Sequence, residues 1–343
     1  MPVPFRPLPP VAPRFDEATN TWSLTRHADV SAALCEPSLV QGSEESSAEI
    51  EARSSELRNA VQTDLARITG EAWAAQAASR LLTLLNRASD GRPTDLVQDI
   101  IHPWTVRLVV DLNQRHEEPQ LENIARQLLF GDKVDGRSGG KGGGSKSEGG
   151  HTPEQELDQM LESGRLSICK SMVFGLTQTL VSFLAKAWVA LLENPAQAEL
   201  LQRNPQLTGN AIEELLRFAG PVHTLYRRVG KDLTLGDFCL RQGQSVALGI
   251  DSANYDPARF PEPEQLNLTR VTAGHLGLGR GPHACVGSVL VRIASRVATP
   301  LFLDARPSSV GSDAVVWTDN RTLLWPSTVP VRLAGSCSQS PHA

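Results

Sequence analysis

The stretch Leu278-Gly279-Arg280-Gly281-Pro282-His283-Ala284-Cys285-Val286-Gly287 constrains this chain more than any other. Its glycines and proline extend neither a helix nor a strand, so they form a shaped loop that presents Cys285. Apolar spacing resumes directly afterwards and predicts a helix to about Leu303. The positive end of that helix then faces the sulfur and favours the thiolate. The other cysteines, Cys35, Cys169, Cys239 and Cys337, lie far apart and form no CxxC pair, so neither a zinc site nor a disulfide framework is indicated.

Around this loop the apolar pattern is mostly helical. Leu57, Val61 and Leu65, then Leu81, Leu84 and Leu85, recur at three- and four-residue spacing and predict helix over much of 54–113. Thr152-Pro153-Glu154-Gln155-Glu156 reads as a helix start. A long helix is expected from about Arg165 to Glu193, stopped by Asn194-Pro195, and another from Thr208 to Phe218. Trp22 to Leu34 reads as a strand and a short helix. Residues 222–250 read as short strands turning at Gly230, Gly236 and Gly243, and further strands are expected near 314–318, 322–325 and 329–333. No βαβ alternation is present. Residues 1–20 form a proline-rich irregular arm. The glycine, serine and charge of 131–150 predict a flexible loop inside a single domain spanning 1–335, and 336–343 a disordered tail.

With 33 Lys and Arg against 38 Asp and Glu, the formal charge is −5, which speaks against a nucleic-acid partner. The proline-dense N-terminus cannot supply the apolar helix of a signal peptide. The apolar stretch Ser167 to Leu192 carries Gln178, Lys186 and several hydroxyls, so it reads as a core helix and not as a membrane span. A cytoplasmic location without a membrane partner is expected.

A sulfur on a glycine loop ahead of a helix is what an iron porphyrin held by a thiolate requires. Glycines let the main chain run close to a flat ring, and backbone N–H groups tune the sulfur. The stretch resembles the cysteine-ligand loop of the cytochrome P-450 family, Phe-Gly-x-Gly-x-His-x-Cys-x-Gly, with Leu278 in place of Phe and every other fixed position kept. The bland alternative is a structural cysteine in a glycine-rich loop. Upstream, Glu213-Glu214-Leu215-Leu216-Arg217 resembles the family's Glu-x-x-Arg helix. Pro257-Ala258-Arg259-Phe260 resembles the segment that supplies a third partner, so the resemblance implies a structural triad of Glu214, Arg217 and Arg259. Pro221 to Arg227 follows at the family's spacing, and Ser54 to Arg58 resembles a further haem-contacting segment.

The resemblance runs from about Trp22 to Leu333. It implies the P-450 fold of a bacterial soluble type, mainly α with small β-sheets, here with shortened distal-roof (F/G helix) and B–C regions. It also implies haem b as cofactor, with Cys285 on the iron, His283, Arg227 and Arg58 on the propionates, and Leu278, Gly279, Gly281 and Leu176 against the ring. The substrate pocket is expected to use Gly175, Leu176, Val222, His223, Thr224 and Leu225.

The long helix departs from the family. Gly175-Leu176-Thr177-Gln178-Thr179 lies on Ala-Gly-x-Asp/Glu-Thr, so Thr179 keeps the alcohol, Gln178 replaces the acid and Leu176 replaces a glycine. A shift by one residue puts Thr177 at the acid position, and either register loses the acid. An amide hydrogen-bonds but does not shuttle a proton as a carboxylate does. Thr179 and Gln178 are the expected catalytic positions.

The resemblance implies a haem-thiolate oxidoreductase, a monooxygenase-like enzyme tailoring a small or carrier-tethered organic molecule in natural-product biosynthesis. It would draw on ferredoxin and ferredoxin reductase or on hydrogen peroxide. Open beside this are a non-hydroxylating or peroxide-dependent enzyme (coupling, cyclisation, dehydration), a non-catalytic haem-binding pseudo-enzyme, and a helical scaffold without haem.

Overall fold

From Thr224 to Val229 exposure alternates along the strand: Tyr226 and Arg228 are exposed, while Arg227 and Val229 are buried. A period of two puts Leu225, Arg227 and Val229 on one face of a sheet. That strand belongs to a five-stranded sheet in the order Arg14–Asp16, Thr21–Leu24, Ser245–Gly249, Thr224–Val229, Leu39–Val40. Thr21–Leu24 and Ser245–Gly249 pair in parallel and the other neighbours are antiparallel. The sequence reading left 1–20 irregular. Arg14–Asp16 is instead an edge strand, too short to show alternation and defined by its pairing with Thr21–Leu24.

The computed structural model describes residues 7, 9–40, 59, 71–113, 118–130, 152–162, 170–311, 314–319 and 322–334. The chain divides into two units whose segments interleave: Met1–Asn59, Lys186–Ser288 and Thr318–Trp325 in one, and Ala60–Ala185, Val289–Trp317 and Pro326–Ala343 in the other. Arg58, Ser54, the loop 131–150 and the tail 336–343 lie outside the described residues.

In the first unit the sheet packs with the helix His27–Cys35 around Leu24, Val30, Leu34, Leu39, Val246 and Leu248. The helix Thr208–Phe218 has the bounds that the periodicity predicts, and it buries Ile212, Leu215 and Leu216 together with Glu214 and Arg217. Lys186 donates from Nζ to the Gly220 carbonyl at 2.7 Å. Burial pushes its ammonium down to about 8 from an ordinary 10.5, and the nearby Asp251 charge only partly offsets this. A depressed lysine releases its proton earlier in the folded chain than in the unfolded one. The penalty of holding the cation is therefore complete below pH 8 and is relieved between pH 8 and 10.5. Stability should rise across that window through this group. Thermal melts of the native protein and Lys186→Met at pH 7 to 10.5 test it: the native-minus-variant difference in Tm should move in the native protein's favour as pH rises, and a flat difference counts against it.

The second unit is helical: Glu71–Ala88, His102–Asn113, Glu118–Phe130, Pro153–Glu162 and the first part of the long helix. Trp73, Ala77, Leu81 and Leu85 repeat at four-residue spacing on the buried face of the first of these. Trp104 ties the second to it through an Nε1 bond to the Ala77 carbonyl at 2.9 Å. Thr152 and Gln155 form a reciprocal capping box, at 2.9 and 3.3 Å, that starts Pro153–Glu162 where the sequence predicts. Glu118–Phe130 and Pro153–Glu162 pack together, so residues 131–150 join two helices of one unit. The mostly helical reading of 54–113 holds over the described residues 71–113, with one interruption. A strand, Pro93–Asp95, and a π-helix, Leu96–Ile101, intervene, with Asp95 capping the latter through Val97 N at 2.8 Å. That strand lies in a three-stranded sheet with Pro330–Leu333 and Pro307–Ser309.

The long helix is Lys170–Phe174, then a π-turn over Gly175–Leu180, then Val181–Glu193. From Met172 to Glu193 it is long and apolar enough to cross a membrane, but most of it is buried within the fold.

Candidate functional site

The cysteine loop is shaped by left-handed glycines. Gly279 and Gly281 have φ of +70° and +72°. A Cβ on Gly281 would lie 2.5 Å from the Leu34 carbonyl oxygen. Its glycine is thus required by the end of the helix His27–Cys35, a constraint the sequence reading assigned to ring clearance alone. Gly277, which the reading passed over, is tighter still, 2.3 Å from the Leu216 carbonyl. Cys285 N donates to Leu278 O at 2.8 Å and closes the loop across its base. Cys285 is exposed, and the helix Ser288–Asp304 begins three residues later. Leu278 and His283 beside it are half-buried.

This loop is anchored to the helix Thr208–Phe218. His275 and Glu213 meet at 3.0 Å, and Gly277 N donates to His275 Nδ1 at 3.1 Å. One residue on, Glu214 and Arg217 form a fully buried forked pair at 2.8 and 2.9 Å. Arg217 Nη1 also donates to the Asn254 and Pro263 carbonyls at 2.9 and 3.0 Å. The third partner is Arg270, whose Nε reaches Glu214 Oε1 at 3.1 Å. Arg259 does not fill that place. It is exposed, donates to the Ala273 carbonyl and lies over the Phe260 ring. Residues 256–260 form a turn closed by Arg259 N and Phe260 N on Asp256 O, at 3.0 and 2.8 Å, whereas Arg270 reaches Glu214 together with Asn267 N, which donates to the same oxygen at 3.1 Å.

Arg227 is 7% exposed, and among the described residues its side chain donates from Nη1 to the Tyr226 carbonyl at 2.9 Å. Burial pushes its guanidinium below its ordinary range, and among the described residues no carboxylate pairs with it. A buried cation without an anion fits a haem propionate, in a unit that also exposes a thiol on a glycine loop. Val222 and Leu225 are partly buried against the core, and His223 Nδ1 lies 3.1 Å from Thr224 Oγ1.

In the second unit, the π-turn Gly175–Leu180 holds the stretch Gly175–Thr179, in which Leu176 and Gln178 depart from the pattern the resemblance implies. Thr177 is buried and spends its hydroxyl on the Val173 carbonyl at 2.8 Å. Gln178 Nε2 reaches the Leu128 carbonyl at 3.5 Å. Leu176 is buried, while Gly175 and Thr179 are half-buried. Thr179 alone of the two threonines keeps a hydroxyl not engaged by the described residues.

The family model for cytochrome P-450 matches residues 196–305, which hold the buried pair, Arg227 and the cysteine loop. That match covers about a third of the chain. The 6-deoxyerythronolide B hydroxylase of Saccharopolyspora erythraea is 34% identical over 183 residues, 51% of this chain and 45% of that one. The chain covers 39–45% of the length of such curated relatives. In three dimensions the chain is similar to the ligand-free P450 monooxygenase TamI, with TM-score 0.75, 24% identity and coverage of 91% and 84% of the two chains, so the two share a fold. It is also similar to the P-450 BioI solved with an acyl carrier protein bearing hexadec-9Z-enoic acid, with TM-score 0.70, 20% identity and coverage of 91% and 92%.

Proposed function

We propose that this protein is a cytochrome P-450, a haem-thiolate oxidoreductase of one catalytic domain that carries out monooxygenase tailoring of a small organic molecule in a biosynthetic pathway, in the cytoplasm. The observation that carries the reading is the buried Arg227, which no carboxylate among the described residues pairs, in the unit that exposes Cys285 on its glycine loop. Haem b, when bound, supplies the one-electron and oxygen chemistry. Cys285 ligates its iron, Arg227 and His283 hold its propionates, and Leu278, Gly279, Gly281 and Leu176 contact the ring. Arg58 is a further propionate contact. Gly175, Leu176, Val222, His223, Thr224 and Leu225 orient the substrate. Thr179 holds the proton-delivering hydroxyl, with water taking the place of the missing acid and Gln178 fixing the helix through Leu128. The relative named 6-deoxyerythronolide B hydroxylase and the P-450 BioI complex with an acyl carrier protein support a free or carrier-tethered substrate. A ferredoxin and its reductase would supply the electrons.

Turnover with dioxygen, ferredoxin and reductase should exceed turnover with hydrogen peroxide when macrolactone and carrier-bound acyl substrates are screened by mass spectrometry. Gln178→Asp should change the dioxygen rate by less than about tenfold, well under the full range of general-acid catalysis. Turnover with peroxide alone would reject the monooxygenase reading and favour a peroxide-dependent enzyme, for which Gln178 in place of an acid is the motivating observation.

A further inference from the structure

Two helices of the second unit present matching ridges to each other. Arg80, Thr83, Leu84 and Arg87 stand at i, i+3, i+4 and i+7 on Glu71–Ala88, and Pro103, Val106, Arg107 and Val110 stand at the same spacing on His102–Asn113. In a helix these positions share one face. Between the ridges lies a cavity of about 390 Å³ lined by these eight residues. Its volume is within the range of small-molecule pockets.

The lining is amphipathic. Val106 and Val110 are buried and form an apolar wall with the half-buried Leu84. Three guanidinium groups meet it. Arg80 is committed to Asp111, which also accepts from Gln76 at 3.4 Å. Arg87 is exposed and makes no hydrogen bond or ion pair among the described residues. The groove therefore offers one spent cation, one uncommitted cation and a third, Arg107, on the facing helix. An ordinary helix–helix seam would bring the apolar ridges together and leave the arginines in solvent.

We propose that this groove binds an amphipathic monocarboxylate, its head on Arg87 and its aliphatic tail along Leu84, Val106 and Val110. A single negative charge matches the one uncommitted guanidinium, and a fork of N–H donors suits a carboxylate. The unbranched tail suits a groove walled by Leu84, Val106 and Val110. The groove shares no lining residue with those assigned to haem or substrate.

The test uses the haem-loaded native protein titrated calorimetrically with octanoate, with 1-octanol as the tail alone and acetate as the head alone. Octanoate should bind at least about tenfold more tightly than either, the worth of one charge-assisted contact. Arg87→Gln should bring octanoate down to the level of octanol. Thr83→Trp, which fills the groove from its exposed edge and leaves every charge in place, should weaken both. The haem absorption spectrum, recorded in the same titration, reports any acid entering the substrate pocket. Octanoate binding that neither substitution moves, or octanol binding equal to octanoate, overturns the proposal. Because the readout is heat and not turnover, it is independent of whether the monooxygenase reading holds.

Discussion

Glu214→Ala should destabilise this protein by about 3–5 kcal/mol, because it strands a buried guanidinium. Arg217 and Glu214 are both wholly inaccessible, and their contact is forked. The substitution leaves Arg217 with two carbonyls and three aromatic neighbours, Phe218, Tyr255 and Phe260, none of which cancels its charge. It also removes the acceptor of Asn267 N and of Arg270 Nε. Against a total stability on the order of 5–15 kcal/mol, that loss moves the melting temperature by roughly 10 °C. Arg270→Ala should follow in the same direction, since its side chain is nearly buried and its guanidinium bonds Glu214, Glu262 and Gln265 at 2.9–3.1 Å. Arg259→Ala should fall within about 0.5 kcal/mol of the native protein, as exposed positions outside such networks do. Chemical denaturation of the three variants separates the assignments: a larger loss at Arg259 than at Arg270 would restore the sequence-based triad.

That exchange of arginines shows where sequence reasoning stops. Glu214 and Arg217 were legible because a spacing of three on a helix is a local fact. Asn210, one turn earlier on the same face, donates to the Leu268 and Arg270 carbonyls at 2.7 and 3.0 Å. The polar ladder Asn210–Glu214–Arg217 was therefore a visible signal that the helix receives a returning segment. Which arginine that segment delivers depends on the path of 256–270, and that path is set by turn hydrogen bonds such as Arg259 N and Phe260 N to Asp256 O. The cysteine loop was legible for the opposite reason: its residue types have few other uses in that order. Even there Gly281 answers first to the Leu34 carbonyl, a contact between positions far apart in sequence. The π-turn at 175–180 left no mark in composition, since it shifts hydrogen-bond partners without changing the apolar face.

Cys285→Ser should abolish the thiolate signature in the reduced carbon monoxide spectrum of protein expressed with haem precursor. The sulfur sits on an exposed loop, held by its backbone N–H to Leu278 O and by the packing of Gly277 and Gly281. None of these supports uses the side chain, so exchanging sulfur for oxygen changes the ligand and leaves its scaffold intact. Stability without haem should stay within about 0.5 kcal/mol of the native chain, as for other exposed substitutions. Losses of 10–100-fold are usual when only a supporting residue of a metal site is removed, so loss of the ligand itself should lower product formation by at least about 100-fold. An alcohol is too weak an acid to ionise as a thiol does, so serine cannot restore the charge that the helix Ser288–Asp304 favours at this position. If the variant kept the native spectrum, the iron would be held elsewhere, and the glycine loop would be a structural feature of the fold and nothing more.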